Sequence, residues 1–331
     1  MEKNSENKYK SLSYQIEKFT SDNIGSICQP RLKTGFSQLD TVLGGGIGPG
    51  ITVIGAISGI GKSTFSLQMA ENVSMSGIPV LYFSLEMPSV RIAAKSICRQ
   101  VFIDSEFDKK RAINADSLTN TEFTKKINAE TWKRINKARI IVEEKSQKLY
   151  IIERKDGMLS AAMISNIVKN FIKDQKERPL VFVDYLQILP PNDTNFRGSD
   201  KQNVDESIRQ MTELAISEDI SVVLISSLNR DGYKNPVQLE SFKETGSIEY
   251  SADVVLGLQF CEAGKKDFNL DEEKSKSPRQ VEIVALKQRY GKSGLISATK
   301  FNYYAEFDYF QDVNQKIKKN TAFSDLPKQR H

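Results

Sequence analysis

The stretch Gly55–Thr64, GAISGIGKST, constrains the fold of this 331-residue chain more than any other feature. An apolar run, Ile51–Ile54, precedes it, and a segment with a helical pattern, Phe65–Val73, follows it. A strand, a glycine-rich turn and a helix in this order are typical of a phosphate-binding loop. Backbone N–H groups of the turn and the positive end of the helix then converge on an anion. The sequence therefore predicts a nucleotide site at this turn.

The residues of the loop have separate expected roles. Gly59 and Gly61 allow the backbone to approach a phosphate closely. Lys62 is expected to reach the β and γ phosphates of a nucleotide, and the Ser63 hydroxyl to hold Mg²⁺. Ala56 stands at the first position of the G-x-x-x-x-G-K-[ST] pattern, so the match is to its relaxed form. The alternative is a glycine-rich turn that caps a helix beside an incidental lysine. The full set of predicted ATP contacts is Ser58, Gly59, Ile60, Gly61, Lys62, Ser63 and Thr64.

Composition excludes several classes of protein. The net charge of +5 permits nucleic acid as a partner but does not require it. Cys28, Cys98 and Cys261 lie far apart and His331 is the sole histidine, which excludes a Cys/His metal site, a disulfide framework and a histidine-dependent triad. Because no apolar run approaches about 20 residues and the N-terminus is polar, the sequence predicts a cytoplasmic protein without a membrane segment.

Apolar runs and helical patterns alternate along the chain, which predicts an α/β fold with ligands at the carboxyl ends of parallel strands. Leu180–Leu189 is apolar on both faces, as expected of a central strand of a parallel sheet. Residues 88–140 are polar and mostly helical, and are expected to lie over the outside of the sheet. The other predicted strands are Ile78–Leu85, Leu149–Glu153, Ser221–Ser226, Val254–Phe260, Val281–Arg289, Leu295–Phe301 and Ala305–Phe310.

Two acidic residues end predicted strands and therefore lie at the same edge of the sheet as Lys62. Asp184 follows four apolar residues, the position at which phosphate-loop ATPases place a carboxylate that positions Mg²⁺. Glu86 ends the strand in FSLEM and could deprotonate an attacking water. By position alone, a helix-capping or solvated glutamate is an equally good interpretation of Glu86.

Five blocks of the chain, ISGIGKST, FSLEM, VDYLQIL, ISSLNR and ALKQRYGKSG, resemble the motor domain of DnaB-type replicative helicases. TGSIEYSAD is similar to the SG-x-IEQ-x-AD segment of that family, and the resemblance extends from about Lys33 to about Phe310. It implies a RecA-like P-loop NTPase fold, with a mostly parallel central sheet flanked by helices and an antiparallel C-terminal extension. It also implies hexameric rings that hydrolyse ATP at subunit interfaces and move along single-stranded DNA.

The resemblance assigns roles to individual residues. Glu86 matches the catalytic glutamate of the family. Lys287 and Arg289, in KQR, match the lysine and the arginine finger that one subunit offers to the nucleotide of its neighbour, and a planar guanidinium suits a transferring phosphoryl group. Without the resemblance they are two exposed basic residues at the end of a strand. Lys243, Glu244 and Gly246 match the loop that contacts the DNA backbone, with Lys243 where the family usually has Arg.

The chain also departs from the family. Ser227 stands where the family usually has a Gln that senses the γ-phosphate, and a serine is too short for the same contact. Residues 1–30 stand where the family has a helical domain that engages primase. LGGGIGPG and GIGKST also resemble RadA-type recombination ATPases, whereas SLEM and DYLQ do not. The alternatives are therefore a RadA-like or other DNA-stimulated ATPase without replicative unwinding, and a nucleotide-switched, non-catalytic ring component or loader.

The expected organisation of the chain has three parts. Residues 1–30 form a tail with a short helix, residues 31–311 form the RecA-like motor, and residues 312–331 form a basic tail. Leu12, Ile16 and Phe19 recur at helical spacing, so this helix could dock on another subunit or fold back on its own domain. Single-stranded DNA, further copies of the chain, and other replication or recombination proteins are the partners that the sequence predicts.

Overall fold

The computed structural model describes residues 11–21, 30–153, 159–193, 197–242, 245–289, 291 and 294–313. Two of the predicted DNA contacts, Lys243 and Glu244, lie outside these residues, as do the predicted N-terminal tail before residue 11 and most of the basic C-terminal tail.

One nine-stranded sheet forms the centre of the described fold, in the order β3-β2-β4-β5-β1-β6-β7-β8-β9. The six strands from β3 to β6 in this order run parallel, and β7, β8 and β9 continue the sheet in antiparallel pairs. This confirms the predicted mostly parallel sheet with an antiparallel C-terminal extension. The strands are β1 (Gly50–Ala56), β2 (Val80–Ser84), β3 (Leu149–Glu153), β4 (Leu180–Asp184), β5 (Ser221–Ser227), β6 (Val254–Phe260), β7 (Arg279–Gln288), β8 (Gly294–Tyr304) and β9 (Tyr309–Asp312).

Helices flank this sheet, and several begin at side chains that cap them. Asn128, Ser160 and Ser199 each accept a hydrogen bond from a backbone N–H of the first turn, as N-caps do. The helices are α1 (Leu12–Ser21), α2 (Ser37–Val42), α3 (Lys62–Met75), α4 (Ser89–Asp104), α5 (Ala115–Thr119), α6 (Thr121–Thr124), α7 (Ala129–Lys145), α8 (Ala161–Gln175), α9 (Asp200–Glu218), α10 (Thr245–Ser251) and α11 (Leu270–Ser275).

The antiparallel extension packs on α3 through a cluster of aromatic rings. The ring of Phe65 lies 4.8 Å from that of Phe36, 5.5 Å from that of Phe301 and 5.1 Å from that of Phe310, measured between ring centroids. Burial of one such ring contributes about 1.5–3 kcal/mol. The cluster therefore fixes the C-terminal strands against the helix that follows the glycine-rich loop.

Three predicted segments differ from the structure. The predicted strand Leu180–Leu189 ends at Asp184 and continues as a 3₁₀ turn, because the Gln187 side chain binds the end of β5. The predicted strand Ala305–Phe310 begins with a 3₁₀ turn over Ala305–Phe307. The sequence also predicts a charged loop over residues 262–280 between two strands, and this segment contains α11, which Asn269 caps.

The insertion between β2 and β3 consists of α4 to α7 and has a small apolar cluster of its own, which its polar composition did not indicate. The cluster consists of Cys98, Val101, Ile113, Ile135 and Ala138. Ion pairs connect α4 to neighbouring elements, between Arg99 and Glu71 and between Lys95 and Asp308. In α1 the side chains of Leu12 and Ile16 are exposed, and docking of this helix on another subunit stays a prediction.

Candidate active site

The glycine-rich loop lies between the end of β1 at Ala56 and the start of α3 at Lys62. Two of its glycines adopt backbone angles that side chains disfavour, with φ of 79° at Gly59 and 104° at Gly61. A Cβ atom on Gly61 would lie 2.6 Å from Cε1 of Tyr303. The loop conformation therefore requires glycine at this position for both its backbone angle and its packing.

The C-terminal extension supports the loop through contacts that the sequence did not indicate. Nη1 of Arg279 donates to the carbonyl oxygen of Gly59 at 2.8 Å. Oγ1 of Thr64 donates to Oδ1 of Asp308 at 2.9 Å, so the last loop residue is bound to the turn before β9. These pairs are separated by 220 and 244 positions in sequence, and no local pattern marks them.

Lys62 lies next to the end of β5. Its Nζ donates to Oγ of Ser227 at 3.1 Å and lies 4.5 Å from the ring centroid of Tyr185. The contact arises because β1 and β5 are neighbours, with Ala56 opposite Ser227 in their register. The residue that departs from the family therefore touches the lysine of the loop.

Asp184 is 4% exposed and lies at the end of β4. The hydroxyl of Tyr82 donates to its Oδ2 at 2.9 Å, while its Oδ1 is buried and has no hydrogen-bond partner among the described residues. Burial raises the pKa of Asp184, although the nearby hydroxyls of Ser63 and Tyr82 and the ammonium of Lys62 lower it. The carboxylate of Asp184 thus accepts a hydrogen bond at Oδ2, whereas its Oδ1 accepts none from the described residues.

Tyr82 is a residue of this site that the sequence did not indicate, because it resembles any other apolar residue of a buried strand. Its hydroxyl lies 2.9 Å from Oγ of Ser66 as well as from Asp184. Burial, followed by the field of Asp184, raises the pKa of Tyr82 well above its usual range, so it is a hydrogen-bond donor at neutral pH.

The residues at the loop fit a magnesium ion. Within the part of the chain that the structure describes, no cluster of three or more His, Cys, Asp or Glu side chains could hold a metal by itself. Mg²⁺ at nucleotide sites needs only one or two protein ligands, because substrate phosphates and water complete its octahedron. The buried Oδ1 of Asp184 has no hydrogen-bond partner in this part of the chain, and the hydroxyl of Ser63 is close enough to this carboxyl to lower its pKa. A carboxylate and a hydroxyl oxygen are ligands that suit such an ion.

Glu86 is exposed and lies in the bend that follows β2. The N–H of Leu85 donates to the carbonyl oxygen of Asp184 at 2.9 Å, which holds this bend beside the end of β4. The charge of Glu86 raises the pKa of both Asp184 and Tyr185, although less than burial does. Glu86, Asp184 and Lys62 therefore lie at one edge of the sheet, as the sequence predicts.

Lys287 and Arg289 lie at the opposite edge. Nη1 of Arg289 forms an ion pair with Oδ1 of Asp253 at 3.0 Å, and Oδ2 of Asp253 accepts from the N–H of Ile51 at 2.9 Å. Ile51 stands at the beginning of β1 and the glycine-rich loop at its end, a separation of about 20 Å along the strand. Neither basic side chain can reach the loop of its own subunit.

Gly246 is exposed in the first turn of α10, and it is the one predicted DNA contact within the described residues. The helix packs by Ile248, which is buried, and Oγ of Ser247 donates to Oδ1 of Asp205 on α9. Gly246 is thereby held on an anchored helix.

A glycine-rich loop between β1 and α3, with an acidic residue at the end of β4, a parallel strand two places away in the sheet, defines a P-loop NTPase of the RecA-like type. A family model described as the DnaB-like helicase C terminal domain matches residues 31–312. The chain therefore belongs to the DnaB-like helicase C-terminal domain family.

The names of curated relatives agree with this family assignment. A probable replicative DNA helicase of Trieres chinensis is 29% identical over 286 residues, which cover 84% of this chain and 57% of that protein. The replicative DNA helicase DnaB of Pasteurella multocida (strain Pm70) is 26% identical over 282 residues, covering 84% of this chain and 55% of that protein. The chain thus spans little more than half the length of these relatives.

Two solved structures share the fold. One is an isolated ATPase domain, which superimposes with a TM-score of 0.72 at 23% identity, covering 92% of this chain and 99% of that one. A DnaB-like replicative helicase, whose structure was described with its interactions with primase, gives a TM-score of 0.70 at 22% identity, covering 91% and 67%. Among the described residues, no helix has both the length and the apolar character needed to cross a membrane.

Proposed function

We propose that the chain is a Mg²⁺-dependent ATPase that assembles as a ring, hexameric as in its family, and moves along single-stranded DNA. The observation that carries this proposal is the separation of the site residues. Lys62, Asp184 and Glu86 lie at one edge of the sheet, whereas Arg289 lies at the other. A site built from these residues is complete only when two copies of the chain meet.

The residues at the loop edge bind and activate the nucleotide. Backbone N–H groups of the loop and the start of α3 receive the phosphates, and Lys62 leaves Ser227 to reach the β and γ phosphates. Ser63 and Asp184 would hold Mg²⁺, which neutralises charge on the phosphates during transfer. Glu86 orients the attacking water and takes its proton.

The residues at the opposite edge serve the neighbouring subunit. Arg289 supplies a planar guanidinium that stabilises the charge developing on the transferring phosphoryl group, and Lys287 supplies a second cation.

DNA binding is assigned to Lys243, Glu244 and Gly246, which are proposed to contact the DNA backbone. Because backbone contacts carry no sequence information and neutralise phosphates, DNA affinity should weaken steeply as salt rises. We also propose that the protein acts in the cytoplasm and that its partners include replication or recombination proteins.

A second candidate is favoured by one observation, the serine at position 227. Ser227 binds Lys62 and cannot extend to a γ-phosphate as a glutamine would. A DNA-stimulated ATPase without replicative unwinding, or a nucleotide-switched loader, would tolerate this substitution. Membership of the DnaB-like family favours the translocating motor over both, and unwinding of forked DNA separates these functions.

We expect Glu86→Gln to remove ATP hydrolysis while ATP still binds. An amide cannot accept the proton of the attacking water, and general-base catalysis is typically worth about 10²–10⁴-fold. Glu86 is exposed, so the substitution leaves the core intact. Steady-state hydrolysis with and without single-stranded DNA, together with binding of a fluorescent ATP analogue, measures both effects.

Glu144→Gln provides a matched control, because Glu144 is an exposed acidic side chain on α7, in the insertion between β2 and β3. It should hydrolyse ATP at the wild-type rate. A Glu86→Gln protein that kept more than half of the wild-type rate would show that another group activates the water.

A further inference from the structure

The hydroxyl of Tyr82 binds one of the two carboxyl oxygens of Asp184. It donates to Oδ2 at 2.9 Å, whereas the buried Oδ1 accepts no hydrogen bond from any residue that the structure describes. A buried carboxyl oxygen without a donor is costly unless a cation or a further donor meets it. Because Oδ2 is already bound, Asp184 offers a metal ion one oxygen rather than two.

The ring of Tyr82 is fixed in place by packing. The residue is 2% exposed, and its ring stacks on that of Phe182 with 5.6 Å between the ring centroids. The two residues are opposite each other in the register of β2 and β4, two positions before Ser84 and Asp184, which end these strands. The hydroxyl is therefore held at a defined point beside Asp184.

The same hydroxyl connects Asp184 to the helix that carries Ser63. Oγ of Ser66 lies 2.9 Å from the hydroxyl oxygen of Tyr82 and 3.1 Å from the carbonyl oxygen of Ser63. A tyrosine hydroxyl has a single proton, and Asp184 accepts it, so Ser66 is the donor to Tyr82. Ser63 and Asp184 thus lie at the two ends of one short chain of contacts.

The expected metal ligands and the tyrosine also border one small space. Ser63, Tyr82 and Asp184 are among the residues that line a cavity of about 10 Å³. A space of this size is close to the smallest that holds a water molecule. The hydroxyl of Tyr82 is therefore a near neighbour of both expected ligands in a tightly packed place.

We propose that Tyr82 is a positioning residue of the metal site and that its hydroxyl makes this site selective for Mg²⁺ over Ca²⁺. The inference rests on the proposed function, in which Ser63 and Asp184 hold Mg²⁺ beside ATP. Mg²⁺ demands a compact octahedron of oxygens, whereas Ca²⁺ takes more ligands and accepts both oxygens of one carboxylate. A hydroxyl that occupies Oδ2 restricts Asp184 to one oxygen and so favours the smaller ion.

The test is Tyr82→Phe, which removes the hydroxyl and keeps the ring. Groups that hydrogen-bond to a metal ligand are typically worth about 10–100-fold in metal affinity. We expect Tyr82→Phe to weaken Mg²⁺ binding by about this factor. Ca²⁺ binding should weaken less, because the freed Oδ2 becomes available to the larger ion. The preference for Mg²⁺ over Ca²⁺ should therefore fall severalfold.

The measurement is metal binding without turnover. A fluorescent, non-hydrolysable ATP analogue is mixed with an excess of the full chain, and MgCl₂ or CaCl₂ is added in separate titrations. The fluorescence of the bound analogue gives an apparent dissociation constant for each ion. Tyr150→Phe is the matched control, since it removes the same hydroxyl from β3, where Tyr150 is 41% exposed. It should bind both ions as the wild type does.

Ser66→Ala is a second variant, which leaves the bond between Tyr82 and Asp184 in place and removes the donor to Tyr82. It should weaken Mg²⁺ binding in the same direction but by less than Tyr82→Phe. The thermal midpoint of unfolding without metal identifies any folding defect. If Tyr82→Phe does not fold, the Mg²⁺ affinity of Ser66→Ala decides the test.

Two results would overturn the inference. One is an Mg²⁺ affinity that stays unchanged in the folded variants, and the other is an equal loss for Mg²⁺ and Ca²⁺ in Tyr82→Phe. A wild-type chain whose binding of the analogue responds to neither ion would instead contradict the proposed Mg²⁺ site itself.

Discussion

Lys62→Ala is expected to abolish ATP hydrolysis, with a loss of at least about 10²-fold, because preorganised positive groups at a phosphoryl site contribute on that scale. In the protein without nucleotide, the ammonium of Lys62 makes one hydrogen bond, to Ser227, and lies over the ring of Tyr185. Removal of these contacts should cost about 1 kcal/mol of folding stability, which alanine at the start of α3 partly offsets. The variant should therefore fold and assemble but not turn over.

The measurement is steady-state phosphate release, with the thermal midpoint of unfolding taken on the same preparation. Lys300→Ala is the matched control, since Lys300 is an exposed lysine on β8. Its rate should equal that of the wild type. A Lys62→Ala protein that hydrolysed ATP as fast as the wild type would show that the glycine-rich loop is not the nucleotide site.

Arg289→Ala is expected to have the largest effect, a loss of about 10³–10⁵-fold in hydrolysis, which is the contribution of an arginine finger. The loss should be rescued in trans, because Arg289 lies at the edge of the sheet opposite its own loop. Rings mixed from Arg289→Ala and Lys62→Ala subunits contain interfaces that pair an intact loop with an intact finger. Hydrolysis should recover at these interfaces.

Arg178→Ala controls for the loss of a surface guanidinium, because Arg178 pairs with Asp219 and is half exposed. This variant should retain activity. Rings shown by mass to be mixed, yet as inactive as either parent, would contradict the shared site. Full activity of Arg289→Ala alone would remove Arg289 from the mechanism.

The parts of the site that follow strands were predictable from the sequence, because the information is local. Four apolar residues before Asp184, and a similar run before Glu86, place both carboxylates at the carboxyl edge of a parallel sheet. The glycine-rich loop between β1 and α3 is likewise a local pattern. The strand alternation predicted the parallel part of the sheet for the same reason.

The supports of the site were not predictable, because they arise from tertiary contacts. Tyr82 becomes a hydrogen-bond donor to Asp184 through the register that sets Ser84 opposite Asp184 on the neighbouring strand. Arg279, Tyr303 and Asp308 reach the loop because aromatic packing folds the extension onto α3.

The contact made by Ser227 is another that the sequence could not predict. From the sequence it is a residue too short for the contact its family makes, and the structure adds that it binds Lys62 across neighbouring strands. The sequence predicts a polar loop over Ser227–Glu249, and helix α10 begins within this segment, at Thr245. The carbonyl oxygens of Glu249 and Ala252, at the end of this helix, accept hydrogen bonds from Lys287, which is distant in the chain.

We expect hydrolysis to require assembly of copies of this chain on single-stranded DNA. Native mass spectrometry with and without ATP and single-stranded DNA, with turnover measured on the same samples, tests it most directly. We expect oligomers of the 37.3 kDa chain, near six copies, whose appearance coincides with DNA-stimulated turnover. A monomer that hydrolyses ATP at the full rate, with no response to DNA, would contradict it.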